Sequence, residues 1–152
     1  MYRFFWNIFG TKQLILYFCK ENIINFTIFM ITEGINYTSK LIIANSDTAI
    51  SLGSGDLPVL ATPRMMALME NAAMLCVAPY LPEGSTTVGG HIASSHVKPS
   101  KVGAEVSATA TLTKVEGKKL YFDVKAEMNG EIIGEGTHLR FIVDKEKFLS
   151  RL

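Results

Sequence analysis

Three histidines and one isolated carboxylate define the chemistry open to this chain. His91, His96 and His138 are the side chains that titrate near neutrality without help from their surroundings. Glu70 is the lone acid in an apolar run, flanked by Leu68 and Met69 and by Asn71, Ala72 and Ala73. A carboxylate removed from water costs several kcal/mol unless it is paired or hydrogen-bonded. Glu70 is therefore either the one solvated face of its element or a partly buried acid with a task. Thr62 lies eight residues before Glu70, and His96 lies 26 residues after it. Glu70 could attack a carbonyl directly or act as a base on water, His96 could position or deprotonate that water and return the proton, and Thr62 could hold the carbonyl by its hydroxyl. Local sequence alone also allows plainer roles: Thr62 as a helix cap, and a strand histidine as a structural residue. Metal ligation is disfavoured, because the spacing of His91 and His96 puts them on opposite faces of a strand.

The residues around Glu70 specify a helix. Met65, Met66, Leu68, Met69, Ala72, Ala73, Leu75, Cys76 and Val77 cover more than one stripe, the pattern of a helix buried over most of its circumference. The four methionines read as core packing rather than a plastic ligand surface. Thr62 as cap and Pro63 at the first helical position mark the start. Pro79 and Pro82 end the helix near Val77 or Ala78. Upstream, residues 37–44 read as a strand, and the turn-rich stretch 46–56 predicts a mobile loop.

Four β segments follow the turn at Pro82-Glu83-Gly84. The first covers residues 86–98, with Val88, Gly90, Ile92, Ser94 and His96 expected on one face. The second covers 104–115 and turns at Glu116-Gly117. Leu120, Phe122, Val124, Ala126 and Met128 then alternate with Tyr121, Asp123, Lys125 and Glu127, a half-buried strand. Asn129-Gly130 is a hairpin signal, and residues 131–143 return with Gly134, His138, Arg140 and Ile142 on one face. Residues 144–152 predict a short amphipathic helix.

One helix followed by long antiparallel strands makes an α+β fold. Strands of about 12 residues reach roughly 40 Å at ~3.3 Å per residue. A 15-residue helix spans only about 22 Å at ~1.5 Å per residue. Strands that outrun their helix must curl around it, which is the hot dog fold: a curved antiparallel sheet wrapped around one long buried helix. The length of 152 residues, 48% of them apolar, suits one domain. Fifteen basic and fourteen acidic residues leave no electrostatic case for nucleic acid. Cys19 and Cys76 are 57 residues apart in apolar surroundings, so neither a disulfide framework nor a zinc site is expected, and a cytoplasmic setting is.

Residues 1–29 differ from the rest. They carry nine of the fifteen aromatic residues and no Ala, Val, Ser, Asp or Pro. Lys12, Lys20, Glu21 and Asn22 divide the stretch into apolar pieces too short to span a bilayer. A secretory signal would need an unbroken apolar region and a small-residue cleavage site. An interfacial helix is the competing reading, but the bias towards Phe, Ile, Asn, Lys and Tyr fits translated A/T-rich non-coding sequence. Residues 30–152 are the expected domain, with Met30 the expected initiator, and this part carries 12 basic and 13 acidic residues.

The run Leu60-Ala61-Thr62-Pro63 with Glu70, then Gly89, His96 and the stretch Ile133-Gly134-Glu135-Gly136-Thr137-His138-Leu139-Arg140, resembles the fluoroacetyl-CoA thioesterase-like family of hot dog proteins. The resemblance covers residues 57–148. It implies hydrolysis of an acyl-CoA thioester by a homodimer, with two sites at the subunit interface and Thr62, Glu70 and His96 catalytic. It also implies Gly89, Leu57, Leu60 and Arg140 as substrate-binding residues, and no cofactor, coenzyme A being part of the substrate. In the family the fluoroacetate-specific enzyme has two phenylalanines closing an apolar lid; the matching positions here are Gly53 and Asp56.

Two other functions fit the same fold. A hot dog hydratase would have an aspartate five residues before a histidine, but Thr86, His91 and Ile133 occupy those positions. A non-catalytic acyl-CoA binding or sensing domain would keep the pocket, and retention of all three polar residues argues only mildly against it.

Overall fold

The computed structural model describes residues 31–152; the expectations for residues 1–29 and for Met30 lie outside that range. Five strands form one antiparallel sheet: β1 (Asn36–Ile42), β2 (Ser85–Ser94), β3 (Glu105–Glu116), β4 (Lys119–Met128) and β5 (Glu131–Asp144). Their spatial order is β1-β3-β4-β5-β2, which leaves β2 at one edge. Between β1 and β2 run a short helix α1 (Ala49–Leu52) and the long helix α2 (Thr62–Val77); α3 (Lys145–Leu149) closes the chain. The sheet curls around α2, whose Met65, Leu68, Met69, Ala72, Ala73, Cys76 and Val77 are buried. These residues pack on the inward side chains of β3 and β4, including Ala108, Ala110, Leu112, Leu120 and Phe122. Phe122 is 1% exposed, so truncating it to alanine should cost about 3–5 kcal/mol.

The sequence rules hold where they rest on local chemistry. β4 buries Leu120, Phe122, Val124 and Ala126 in strict alternation. Asn129 and Gly130 both have positive φ, 53° and 78°, as the tight turn between β4 and β5 requires. Helix α2 ends at Val77, one residue after Cys76, whose buried thiol is pushed up to about 11 and is correspondingly inert.

Four expectations need correction. Ala61, not Thr62, is the N-cap of α2, and no side chain caps it; Thr62 is the first helical residue. The buried part of the helix is narrower than expected, because Ala67 is exposed along with Asn71, and Met66, Met74 and Leu75 are only half-buried along with Glu70. The stretch 46–56 is built rather than open. Asn45–Asp47 form a 3-10 turn and α1 follows, the N–H of Ala49 donates to the Val59 carbonyl, and that of Ile50 donates to Leu57. Arg64 Nε donates to Asp47 at 2.6 Å and ties this segment to α2.

The fourth correction concerns β2. Its pairing with β5 shifts register between Gly89 and His91, a β-bulge with Gly90 as the extra residue. Alternation therefore changes phase. Thr87, Gly89, Ile92, Ser94 and His96 point inward, and Val88 and Gly90 leave that face. Ile92, Ser94 and His96 are half-buried, while His91, Ala93 and Ser95 are exposed. A side chain at Gly90 would run into the Phe141 ring, so glycine at the bulge lets β5 pass.

Candidate active site

His96 lies two residues beyond the end of β2, still tied to β5 through the flanking bonds from Ser95 N–H to Glu135 and Val97 N–H to Ile133. The inward phase set by the bulge turns its ring towards the start of α2. There Thr62 Oγ1 and His96 Nδ1 are 2.8 Å apart. Because Ala61 takes the cap position, the Thr62 hydroxyl is free to make this bond. Both residues line a cleft of about 280 Å³ with Ala49, Ser54, Leu60 and Val97. Burial holds the His96 imidazole below the ordinary histidine range, so the ring is a neutral base near neutrality. Its other nitrogen, Nε2, is buried and has no hydrogen-bond partner among the described residues.

Glu70 sits elsewhere on α2. Eight residues of helix separate it from Thr62, about 12 Å along the axis at ~1.5 Å per residue. Its carboxylate lies 3.7 Å from His138 Nε2, and its side chain is 41% exposed. A Cβ placed on Gly89 would come within 2.7 Å of Glu70 Oε1. Behind Gly89 lies Arg140, 6% exposed, which faces inward from β5. Arg140 Nε donates to Thr87 Oγ1 and Nη2 to the Thr87 carbonyl, each at 2.8 Å.

The predicted residues therefore form two groups within one chain. Thr62 and His96 meet at the cleft; Glu70, Gly89 and Arg140 meet about two helical turns away. No side-chain hydrogen bond among the described residues joins the groups. Leu60 is 2% exposed and lines the cleft. Leu57 is 59% exposed and is not in the cleft wall. His138 and Thr87 were missed as site residues, although the shared phase of His138 and Arg140 in β5 placed their side chains together. No group of three potential metal ligands occurs among the described residues. No helix among them is long and apolar enough to cross a membrane.

A curled antiparallel sheet around one long helix is the hot dog fold, and the solved structures it resembles are thioesterases of that fold. The sequence model of the fluoroacetyl-CoA-specific thioesterase family matches residues 43–146, and the chain belongs to that family. It is 38% identical over 94 residues to the fluoroacetyl-CoA thioesterase of Streptantibioticus cattleyicolor, covering 62% of this chain and 68% of that protein. A solved structure of the fluoroacetyl-CoA thioesterase FlK superimposes with a TM-score of 0.76 at 31% identity, over 80% of this chain and 94% of that one. A thioesterase superfamily member from Thermus thermophilus superimposes with a TM-score of 0.73 at 27% identity, over 79% and 89% of the two chains.

Proposed function

We propose that this thioesterase hydrolyses an acyl-CoA thioester as a homodimer, and that each site combines Thr62 and His96 of one subunit with Glu70 of the other. The observation that carries this reading is the 2.8 Å contact between Thr62 and His96 at the cleft, with Glu70 held apart in the same chain. Support for a carboxylate brought by a second subunit comes from β2, which ends the sheet with Gly89, Gly90 and His91 exposed.

In the proposed reaction the thioester carbonyl enters the cleft, with Thr62 Oγ1 and the N–H groups at the start of α2 near its oxygen. Neutral His96 takes a proton from water, and the oxygen of that water bonds to the carbonyl carbon. The carbon–sulfur bond then breaks, and the proton passes from His96 to the sulfur, leaving the free acid and coenzyme A. Glu70 balances the imidazolium that forms between the two transfers. A positioned base of this kind contributes about 10²–10⁴-fold. Water and the substrate supply every atom the reaction needs.

The test is release of coenzyme A thiol from acetyl-CoA, fluoroacetyl-CoA and a series of longer acyl-CoAs. Turnover by the wild-type protein, abolished in Thr62→Ala and His96→Ala, is the expected result. Binding of acyl-CoA without thiol release from any member of the series would replace hydrolysis with a binding or sensing role.

A further inference from the structure

Arg140 is a buried cation with no salt bridge among the described residues. No carboxylate among the described residues comes within ion-pair distance of its guanidinium. A buried charge is tolerated only where hydrogen bonds replace its water, and here four contacts do so. Two go to Thr87. From Nη1, one reaches the backbone carbonyl of Glu70 at 3.4 Å, and the other reaches His138 Nε2 at 3.1 Å. The last of these fixes the chemistry of the histidine.

His138 is 2% exposed. Its Nδ1 lies 2.7 Å from the backbone oxygen of His91, and a carbonyl can only accept, so Nδ1 carries the proton. A guanidinium can only donate, so Nε2 must offer a lone pair to Arg140. Both hydrogen-bonding neighbours demand the same state, neutral imidazole protonated on Nδ1; the Glu70 carboxylate, 3.7 Å from Nε2, pulls the other way across a longer gap. A second proton would set an N–H against an N–H. Burial, with the neighbouring Arg140 charge, outweighs the His91 carbonyl bond and the Glu70 charge and holds His138 below the ordinary histidine range.

We propose that His138 is a positioning residue of the thioester site: as the Nδ1–H tautomer it holds the Arg140 guanidinium facing Gly89 and Glu70, and it transfers no proton itself. This rests on the proposed hydrolysis for its effect on rate, but not for its geometry. Arg140 Nη1 lies 3.8 Å from where a Cβ on Gly89 would stand, and Glu70 Oε1 lies 2.7 Å from the same point. The cation and the carboxylate thus border one small space, and His138 decides where the cation points. If the ring lost its lone pair, Arg140 would keep Thr87 and swing its Nη1 away from that space.

Three substitutions separate positioning from bulk. His138→Asn keeps a donor for the His91 carbonyl but no acceptor for Arg140. His138→Phe keeps the ring volume and neither bond. His138→Gln reaches the Nε2 position with a carbonyl oxygen and keeps the acceptor. Misplacing a group by an ångström can cost about a hundredfold. The Asn and Phe variants should lose that much in kcat with KM nearly unchanged, and the Gln variant should recover most of the loss.

Two spectroscopic readouts need no turnover. Long-range nitrogen–proton spectra of the wild-type protein should show His138 neutral and protonated on Nδ1. The Arg140 Nη1–H resonances should exchange slowly in the wild-type and Gln proteins and broaden in the Asn and Phe proteins, while the Nε–H bonded to Thr87 stays protected. A proton on Nε2 in the wild type, or Arg140 Nη1–H resonances indifferent to the Asn and Phe changes, overturns the proposal. If the wild type hydrolyses no thioester, the proposed hydrolysis falls while the spectra still decide whether His138 positions Arg140.

Discussion

Gly89 stands against the Glu70 carboxylate so closely that a methyl group on its Cα would come within 2.7 Å of Oε1. The obstructing atom is the end of a flexible side chain, so the fold can accommodate an alanine there by moving Glu70. Gly89→Ala should therefore melt close to the wild-type temperature and lose about tenfold or more in kcat/KM, a barrier increase of about 1.4 kcal/mol. Thermal denaturation and thioester kinetics on the same preparation make the comparison. Unchanged kinetics would mean that the placement of Glu70 does not matter.

Replacing the carboxylate by its neutral isostere is the complementary experiment. Glu70→Gln removes charge with little change in volume, on a side chain 41% exposed. Turnover should fall at least about a hundredfold with the fold intact. A residual rate within a few-fold of wild type would return Glu70 to the plain role of a solvated helix face.

Sharing of sites between subunits predicts complementation. Thr62→Ala and Glu70→Gln homodimers should each be nearly inactive. After the two are unfolded together and refolded, half the dimers should be mixed, and each should hold one intact site. Recovery of about a quarter of the wild-type activity follows from a two-fold dimer. A site made within one chain would recover none, since every chain carries a defect.

Two histidines set the acid limb. Burial lowers both His96 and His138 from the ordinary value of 6.5. As pH falls from there towards their folded values, the unfolded chain takes up protons that the native state resists, so stability is lost over that window and is full above it. Melting temperature should therefore decline below about 6.5. The acid limb of kcat/KM should have its midpoint below that value. Stability that rises on acidification would contradict the assignment of neutral rings.

Substrate breadth is the last expectation. Gly53 ends α1 with φ of +68°, a left-handed conformation that a phenylalanine would adopt only with strain. Asp56 is exposed, and a charge resists burial against an apolar acyl group. A two-aromatic lid has no residues to build it at these positions. Short acyl-CoAs should thus be hydrolysed without strong preference for fluoroacetyl-CoA. Measured as a ratio of kcat/KM to acetyl-CoA, a preference above about a thousandfold, roughly 4 kcal/mol, would contradict this.

Legibility in the sequence followed the range of the forces involved. The β4 alternation, the Asn129-Gly130 turn and the span of α2 depend on neighbours a few positions away, and all could be read directly. The intervals linking Thr62, Glu70 and His96 were legible through family resemblance, but not their separation into two groups, which depends on how far α2 carries Glu70 along its axis. Arg140 could be named from its motif, whereas its bond to Thr87, 53 residues away, required the β2–β5 pairing. The cap at Ala61 was hidden because Thr62 is the better capping residue by type, and its hydroxyl is engaged by His96 instead.

The bulge at Gly90 also makes the site sensitive to length rather than to composition. In an unbroken strand, residues seven apart point to opposite sides; Gly89 and His96 share a side because one residue drops out of the pairing. Point mutations along this stretch alter one wall atom at a time. A single-codon insertion or deletion between them, other than loss of the bulged Gly90 itself, would instead turn one end of the site out to solvent in one step. Descendants that keep the activity should therefore vary the letters of this interval and preserve its count, while the turn at 129–130, which is not in the cleft wall, remains free to grow.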